Sequence, residues 1–183
     1  MINAILNLDM WILNAINSHC HTYVLDKFNP FITSLGNVGI VWIVIALWLL
    51  ISKKYRKEGM MVLAALLLVS ILGEGIIKHL VQRPRPCAGV PAASLLIAKP
   101  LSYSFPSGHT GSSFAAAWII ATNIKRYRVF AIMLAVMIAF SRLYLFVHYP
   151  SDVLAGMALG IACAMIVQIA FKNLLYNKVD NVD

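Results

Sequence analysis

Five stretches of the chain carry no lysine, arginine, aspartate or glutamate: residues 28–52, 59–73, 100–124, 129–141 and 153–171. A helix needs about 20 residues to cross a hydrocarbon layer. If the charges at 74, 78 and 142 are embedded within helices, the pattern predicts five spans, at about 34–52, 59–81, 107–124, 129–148 and 152–171. Residues 4–30, AILNLDMWILNAINSHCHTYVLDKFNP, mix apolar positions with Asn, His and Asp. They predict one or two short amphipathic helices, or a short sixth span. No basic residue precedes Lys27, which argues against a cleavable signal peptide. The fold class expected is all-α, a polytopic transmembrane helical bundle. With no repeat and no linker long enough to separate two units, residues 1–183 are expected to form one domain.

Composition supports this pattern. Hydrophobic residues make up 61% and charged residues 12%, with a mean hydropathy of +0.80, against about 45–50% and 25% in soluble domains. A net charge of +8 would suggest nucleic acid in a soluble protein, but in a membrane protein its distribution among loops matters more. Four basic residues lie in KKYRK (53–57), three in KRYR (125–128), and Lys172 and Lys178 lie in the tail, nine of the fifteen in all. Five spans put all three segments on one side, which the positive-inside rule makes cytoplasmic. Segments 82–109 and 148–152 then share the outer face. Cys20, Cys87 and Cys163 have no metal-ligand spacing and say little about redox compartment.

Three polar clusters fall at that outer face. The first is EGIIKHLVQRPRP (74–86), where Glu74 and Lys78 are spaced to pair on one helical face. Pro84 and Pro86 push Arg83 and Arg85 into an extended strap, and a guanidinium fork suits phosphate oxygens. Alone, this stretch fits a basic boundary loop among lipid headgroups as well. The second is SFPSGHTGSS (104–113), immediately before an apolar run. Ser107 is placed to cap a helix, and Gly108 lets a ligand approach the backbone. Free N–H groups at such a helix start attract an anion, beside His109. An ordinary capped helix with an interfacial histidine fits this stretch too.

The third cluster is FSRLYLFVHYPSD (140–152). A helix from about 129 carries Arg142 near its end and His148 at its close, because Pro150 disfavours helix at Tyr149. Asp152 then falls in or near the first turn of the next helix. Across so tight a turn a carboxylate can accept one ring N–H and fix the other nitrogen as a nucleophile. Charges within a membrane segment are expensive, which favours function over chance.

Together the clusters resemble the type 2 phosphatidic acid phosphatase superfamily of membrane lipid phosphatases, related in core and site to bacterial acid phosphatases and vanadium haloperoxidases. The family pattern is K-x6-R-P, then P-S-G-H, then S-R-x5-H-x3-D. It is matched in order by Lys78 with Arg85-Pro86, by Pro106-Ser107-Gly108-His109, and by Ser141-Arg142 with His148 and Asp152. The resemblance covers a catalytic core of about 59–171. It implies that His148 attacks phosphorus to give a phosphohistidine, that Asp152 orients it, and that His109 protonates the leaving oxygen and then activates water. Lys78, Arg85, Ser107, Gly108 and Arg142 are implied to bind the phosphate. Arg83 and Glu74 are accessory candidates, Arg83 as a second phosphate or headgroup contact and Glu74 as a partner of Lys78. No metal or other cofactor is implied, and no carboxylate cluster of the kind that holds magnesium stands out.

The resemblance implies a hydrolase of the cell membrane. Its substrate is expected to be a lipid phosphate or diphosphate taken at the extracytoplasmic face, and not nucleic acid. Undecaprenyl diphosphate, from the carrier lipid of the cell wall, is the first choice, because the chain looks like the small bacterial members. Phosphatidylglycerophosphate, phosphatidic acid and diacylglycerol diphosphate are alternatives, as is phosphotransfer to a second lipid. From a different class, an anionic-lipid binding or transport protein would explain the arginines but not the two histidines and the aspartate. Oligomeric state is not legible.

Overall fold

A computed structural model of the protein describes residues 2–180, and among them all regular structure is helical. Helix α1 (Ile2–His19) is amphipathic, as its mixed pattern predicts, and packs against the last two helices of the chain. Helix α2 (Tyr23–Leu35) follows, capped by Thr22, whose side chain accepts from the Leu25 N–H. The predicted span at 34–52 is broken. Helix α2 and the segment Asn37–Ile51, which includes α3 (Ile40–Ile51), meet at an angle of 49°. The break is local chemistry: Val38 and Gly39 take left-handed dihedrals, φ 53° and 70°, which end the helical ladder.

The predicted 59–81 span is a continuous run over Arg56–Val81. It comprises α4 (Arg56–Val69), a π-helical segment at Ser70–Ile77, and the single turn α5 (Lys78–Val81). Gln82 ends it with φ 49°, residues 83–85 form no regular structure, and Arg85 is extended, as the following proline predicts. Helix α6 (Gly108–Asn123) occupies the predicted 107–124 segment, α7 (Arg128–Tyr144) most of 129–148, and α8 (Pro150–Asp180) begins on a proline at its first position. Helix α7 stops four residues before His148, where Phe146 adopts φ 56°. His148 therefore sits in the turn between α7 and α8 rather than at a helix end. The side chain of the basic tail residue Lys178 lies outside the described residues.

Among the described residues, three helices, Arg56–Val81, Lys125–Tyr144 and Pro150–Leu174, are long and apolar enough to cross a membrane, and the bent pair counted as one broken span makes a fourth candidate. The fifth expected span, α6, has 16 residues and is the centre of the bundle, packed against α4, α7 and α8. Its closest approach is to α8. A Cβ on Gly156 would lie 2.5 Å from the Ser107 carbonyl oxygen, and one on Gly160 would overlap the Gly111 carbonyl. Lipid provides no hydrophobic force between helices, so small residues that bring backbones together supply the packing. Trp42, fully buried on α3, donates from Nε1 to Ser113 Oγ at 2.9 Å. Such an interhelical bond contributes about 1 kcal/mol in a membrane. The fold thus fixes the start of α6 beside the π segment and the α7–α8 turn.

Candidate active site

A cavity of about 680 Å³ opens where these elements meet. Lys78, Arg85, His109, Arg142 and His148 line it together with Glu74 and Gly108. Lys78, Arg85 and Arg142 are 4%, 8% and 3% exposed, so three cations converge with little water around them. Glu74 Oε1 accepts from Lys78 Nζ at 2.6 Å, the pairing their spacing predicts. With Lys99 also in the lining, one carboxylate stands against four cations and the cavity is positive, and bringing such charges together is costly unless an anion completes the set.

The strap positions Arg85 through five bonds. Its Nε donates to the Ser102 carbonyl at 2.7 Å, and its Nη2 to Ser102 Oγ and the Tyr103 carbonyl, both at 3.1 Å. Its Nη1 donates to the Val147 carbonyl at 2.8 Å and to His148 Nε2 at 2.9 Å. Arginine has no acceptor, so His148 Nε2 presents its lone pair there and the ring proton of the neutral imidazole sits on Nδ1. Nδ1 lies 3.4 Å from Asp152 Oδ2 and makes no hydrogen bond among the described residues. Asp152 is fully buried, and its Oδ2 accepts from the Tyr149 N–H at 2.9 Å. A histidine so oriented has a nucleophilic nitrogen on the cavity side and a carboxylate behind it.

His109 stands in the first turn of α6. Its Nε2–H donates to Asn37 Oδ1 at 2.9 Å. Arg142 donates from Nη1 to Thr33 Oγ1 at 2.5 Å, while its buried Nε has no partner in the protein. Gly36 makes room for this arrangement, since a Cβ there would lie 2.8 Å from His109 Cδ2 and 2.9 Å from Ile138 Cγ2.

Two candidates are placed differently from expectation. Ser107 caps α6: its Oγ accepts from the Thr110 N–H at 3.4 Å and lies 2.9 Å from Thr110 Oγ1, and the residue does not line the cavity. Arg83, expected at a phosphate or headgroup, turns away from the cavity to Asp152 Oδ1 at 2.6 Å and Asp9 Oδ2 at 2.7 Å. Asp9, Thr33 and Asn37 were absent from the sequence reading. Each comes from α1, α2 or the break after α2, where the mixed polar pattern was the only signal.

Residues 58–175 match the PAP2 superfamily. The chain belongs to that superfamily. It is an integral-membrane phosphatase, a hydrolase of lipid phosphate bonds. A PAP2 relative, the undecaprenyl-diphosphatase of Sulfolobus acidocaldarius, is 38% identical over 137 residues, 74% of this chain and 66% of that protein. The decaprenylphosphoryl-5-phosphoribose phosphatase of Mycobacterium tuberculosis is 36% identical over 138 residues, 74% and 75% of the two chains. Among solved PAP2 structures, the phosphatidylglycerolphosphate phosphatase of Bacillus subtilis aligns with a TM-score of 0.75 at 25% identity, covering 93% of this chain and 88% of that one.

Proposed function

We propose that this protein removes a terminal phosphate from a lipid diphosphate or phosphomonoester through a phosphohistidine on His148, with undecaprenyl diphosphate as the favoured substrate. One observation supports the mechanism: His148 Nε2, the unprotonated ring nitrogen, is held by Arg85 at the wall of a cavity lined by three buried cations, with Asp152 on the Nδ1 side. Arg85 turns from Nε2 to the phosphoryl oxygens and grips them with Lys78 and Arg142, which frees the Nε2 lone pair for phosphorus and stabilises the charge of the transition state. As the new P–N bond forms, the P–O bond to the leaving group breaks, and His109 delivers its proton to the departing oxygen. Water activated by His109 then cleaves the P–N bond and frees phosphate. Gly108 lines the cavity at the start of α6, and the Glu74 carboxylate fills the place a side chain there would take.

Both curated relatives described above carry names of polyprenyl substrates, which supports a polyprenyl chain over a diacylglycerol one. The basic segments 53–57 and 125–128 support a cytoplasmic placement for the end opposite the site, with the cavity opening outward. An outward site receives undecaprenyl diphosphate where it is released. The whole chain is read as one domain.

The deciding experiment measures phosphate release by the purified protein from undecaprenyl diphosphate, phosphatidylglycerophosphate and phosphatidic acid. The highest kcat/KM is expected with undecaprenyl diphosphate, and a preference for either glycerolipid overturns that choice. Labelled phosphate on an acceptor lipid would establish phosphotransfer, and binding without release would establish a lipid-binding protein. Vanadate, a phosphate mimic, is expected to inhibit. A cysteine introduced within 88–98 is expected to label from outside the cell and one within 53–57 is not; the reverse pattern refutes the outward site.

A further inference from the structure

Two charges that reach the α7–α8 turn, Asp9 and the half-buried Arg83, have no part in the chemistry above. Asp9, on α1, is 3% exposed. Its Oδ1 accepts from the Ser151 N–H at 2.9 Å, and its Oδ2 accepts from Ser151 Oγ at 2.5 Å and Arg83 Nη2 at 2.7 Å. Arg83 completes the chain, with Nη1 donating to Asp152 Oδ1 at 2.6 Å and to Ser151 Oγ at 2.7 Å. Its guanidinium lies 3.9 Å from the centroid of the Tyr149 ring.

We infer that Asp9 and Arg83 are positioning residues that clamp Asp152 with its Oδ2 edge toward His148. The inference rests on the reading of His148 as the nucleophile. A terminal carboxylate turns easily about its last bond. Arg83 takes Oδ1 and the Tyr149 N–H takes Oδ2, so both oxygens are held. The free edge of Oδ2 then faces His148 Nδ1. Arg83 and Arg85 stand two residues apart on one strap, Arg83 gripping the aspartate of the pair and Arg85 the histidine.

Asp9 gives the clamp its anchor. It holds the second Nη of Arg83, offsets that half-buried charge, and fastens α1 to the start of α8 through Ser151. A planar fork spans two carboxylates in a way an ammonium does not. Asp9 lies outside the matched residues 58–175, so the clamp joins a segment beyond the family match to the reacting pair.

The test compares wild type with Asp9→Asn and Arg83→Gln in purified protein. Each substitution is expected to lower kcat about 10- to 100-fold, the usual cost of losing the partner that orients a functional histidine, with KM little changed. In an Asp152→Asn background, Asp9→Asn should cost nothing further, because it acts through that carboxylate. Nitrogen-15 NMR of His148 is expected to show the Nδ1–H tautomer in wild type and a mixture in either variant. Unchanged kcat and tautomer overturn the clamp, as does a loss that persists undiminished beside Asp152→Asn. If Asp9→Asn does not fold, Arg83→Gln decides, since it leaves the Asp9–Ser151 bonds in place. Wild type that releases no phosphate from any lipid refutes the phosphatase reading, whereas the tautomer measurement tests the clamp without turnover.

Discussion

Two cavities among the described residues have opposite chemistry. The site cavity, about 680 Å³, has three buried cations and two histidines. The other, about 400 Å³, is lined by side chains of α3, α6 and α7, Trp42, Leu49, Ile120 and Phe130 among them, and by no charged residue. Both are bordered by α6, which is apolar toward its C-terminal end and begins in Ser, Gly, His and Thr. In lipid the apolar region depends on shape alone, since side chains gain little by leaving a solvent as apolar as themselves. The polar region is held by directional bonds, each of which costs free energy if left unmade. Stability and chemistry are thereby separated along one helix.

That separation predicts effects of decreasing size on turnover. His148→Ala should reduce phosphate release by about ten-thousandfold or more, as removal of a nucleophile does, in protein that still elutes as a folded species; full activity would sink the mechanism. Arg142→Met removes a buried donor from the cavity lining. It should lower kcat/KM about 100- to 1000-fold, read from initial rates in detergent. Glu74→Gln keeps shape but releases Lys78, and should change kcat/KM by about tenfold, a charged hydrogen bond of about 1.5 kcal/mol. Leu49→Ala in the apolar region should destabilise by about 2 kcal/mol, through lost packing, seen as a lower thermal midpoint. Turnover per folded molecule should stay within about twofold of wild type, at the bottom of the series. A large loss of turnover in Leu49→Ala would show that the two regions are coupled after all.

Much of the site was legible because its chemistry is local in sequence. Lys78 and Glu74 share a helix face, Pro86 holds Arg85 extended, and Pro150 fixes where α8 begins, so each cluster carried its own geometry. What escaped was non-local. Asp9, Thr33 and Asn37 reach Arg83, Arg142 and His109 across 74, 109 and 72 residues of sequence. Nothing in their surroundings distinguishes them from polar residues on a solvated face. The break at 36–39 did leave a mark, since LGNVG carries turn-forming residues inside an apolar run. The early end of α7 left none: LYLFV contains no helix breaker, and Phe146 takes its left-handed dihedral from the surrounding fold. Ser107 was identified as a cap and also expected at the phosphate; the cap is the role its bonds support.

The brevity of α6 bears on how a substrate gets in. Sixteen residues rise about 24 Å, some 6 Å less than a hydrocarbon layer of about 30 Å. Because α6 lies inside the bundle, the longer helices around it rather than lipid meet that deficit. The room at its polar start is taken up by the cavity. A lipid headgroup entering there would reach the site while its tail stayed among other tails. The substrate would then not have to leave the bilayer.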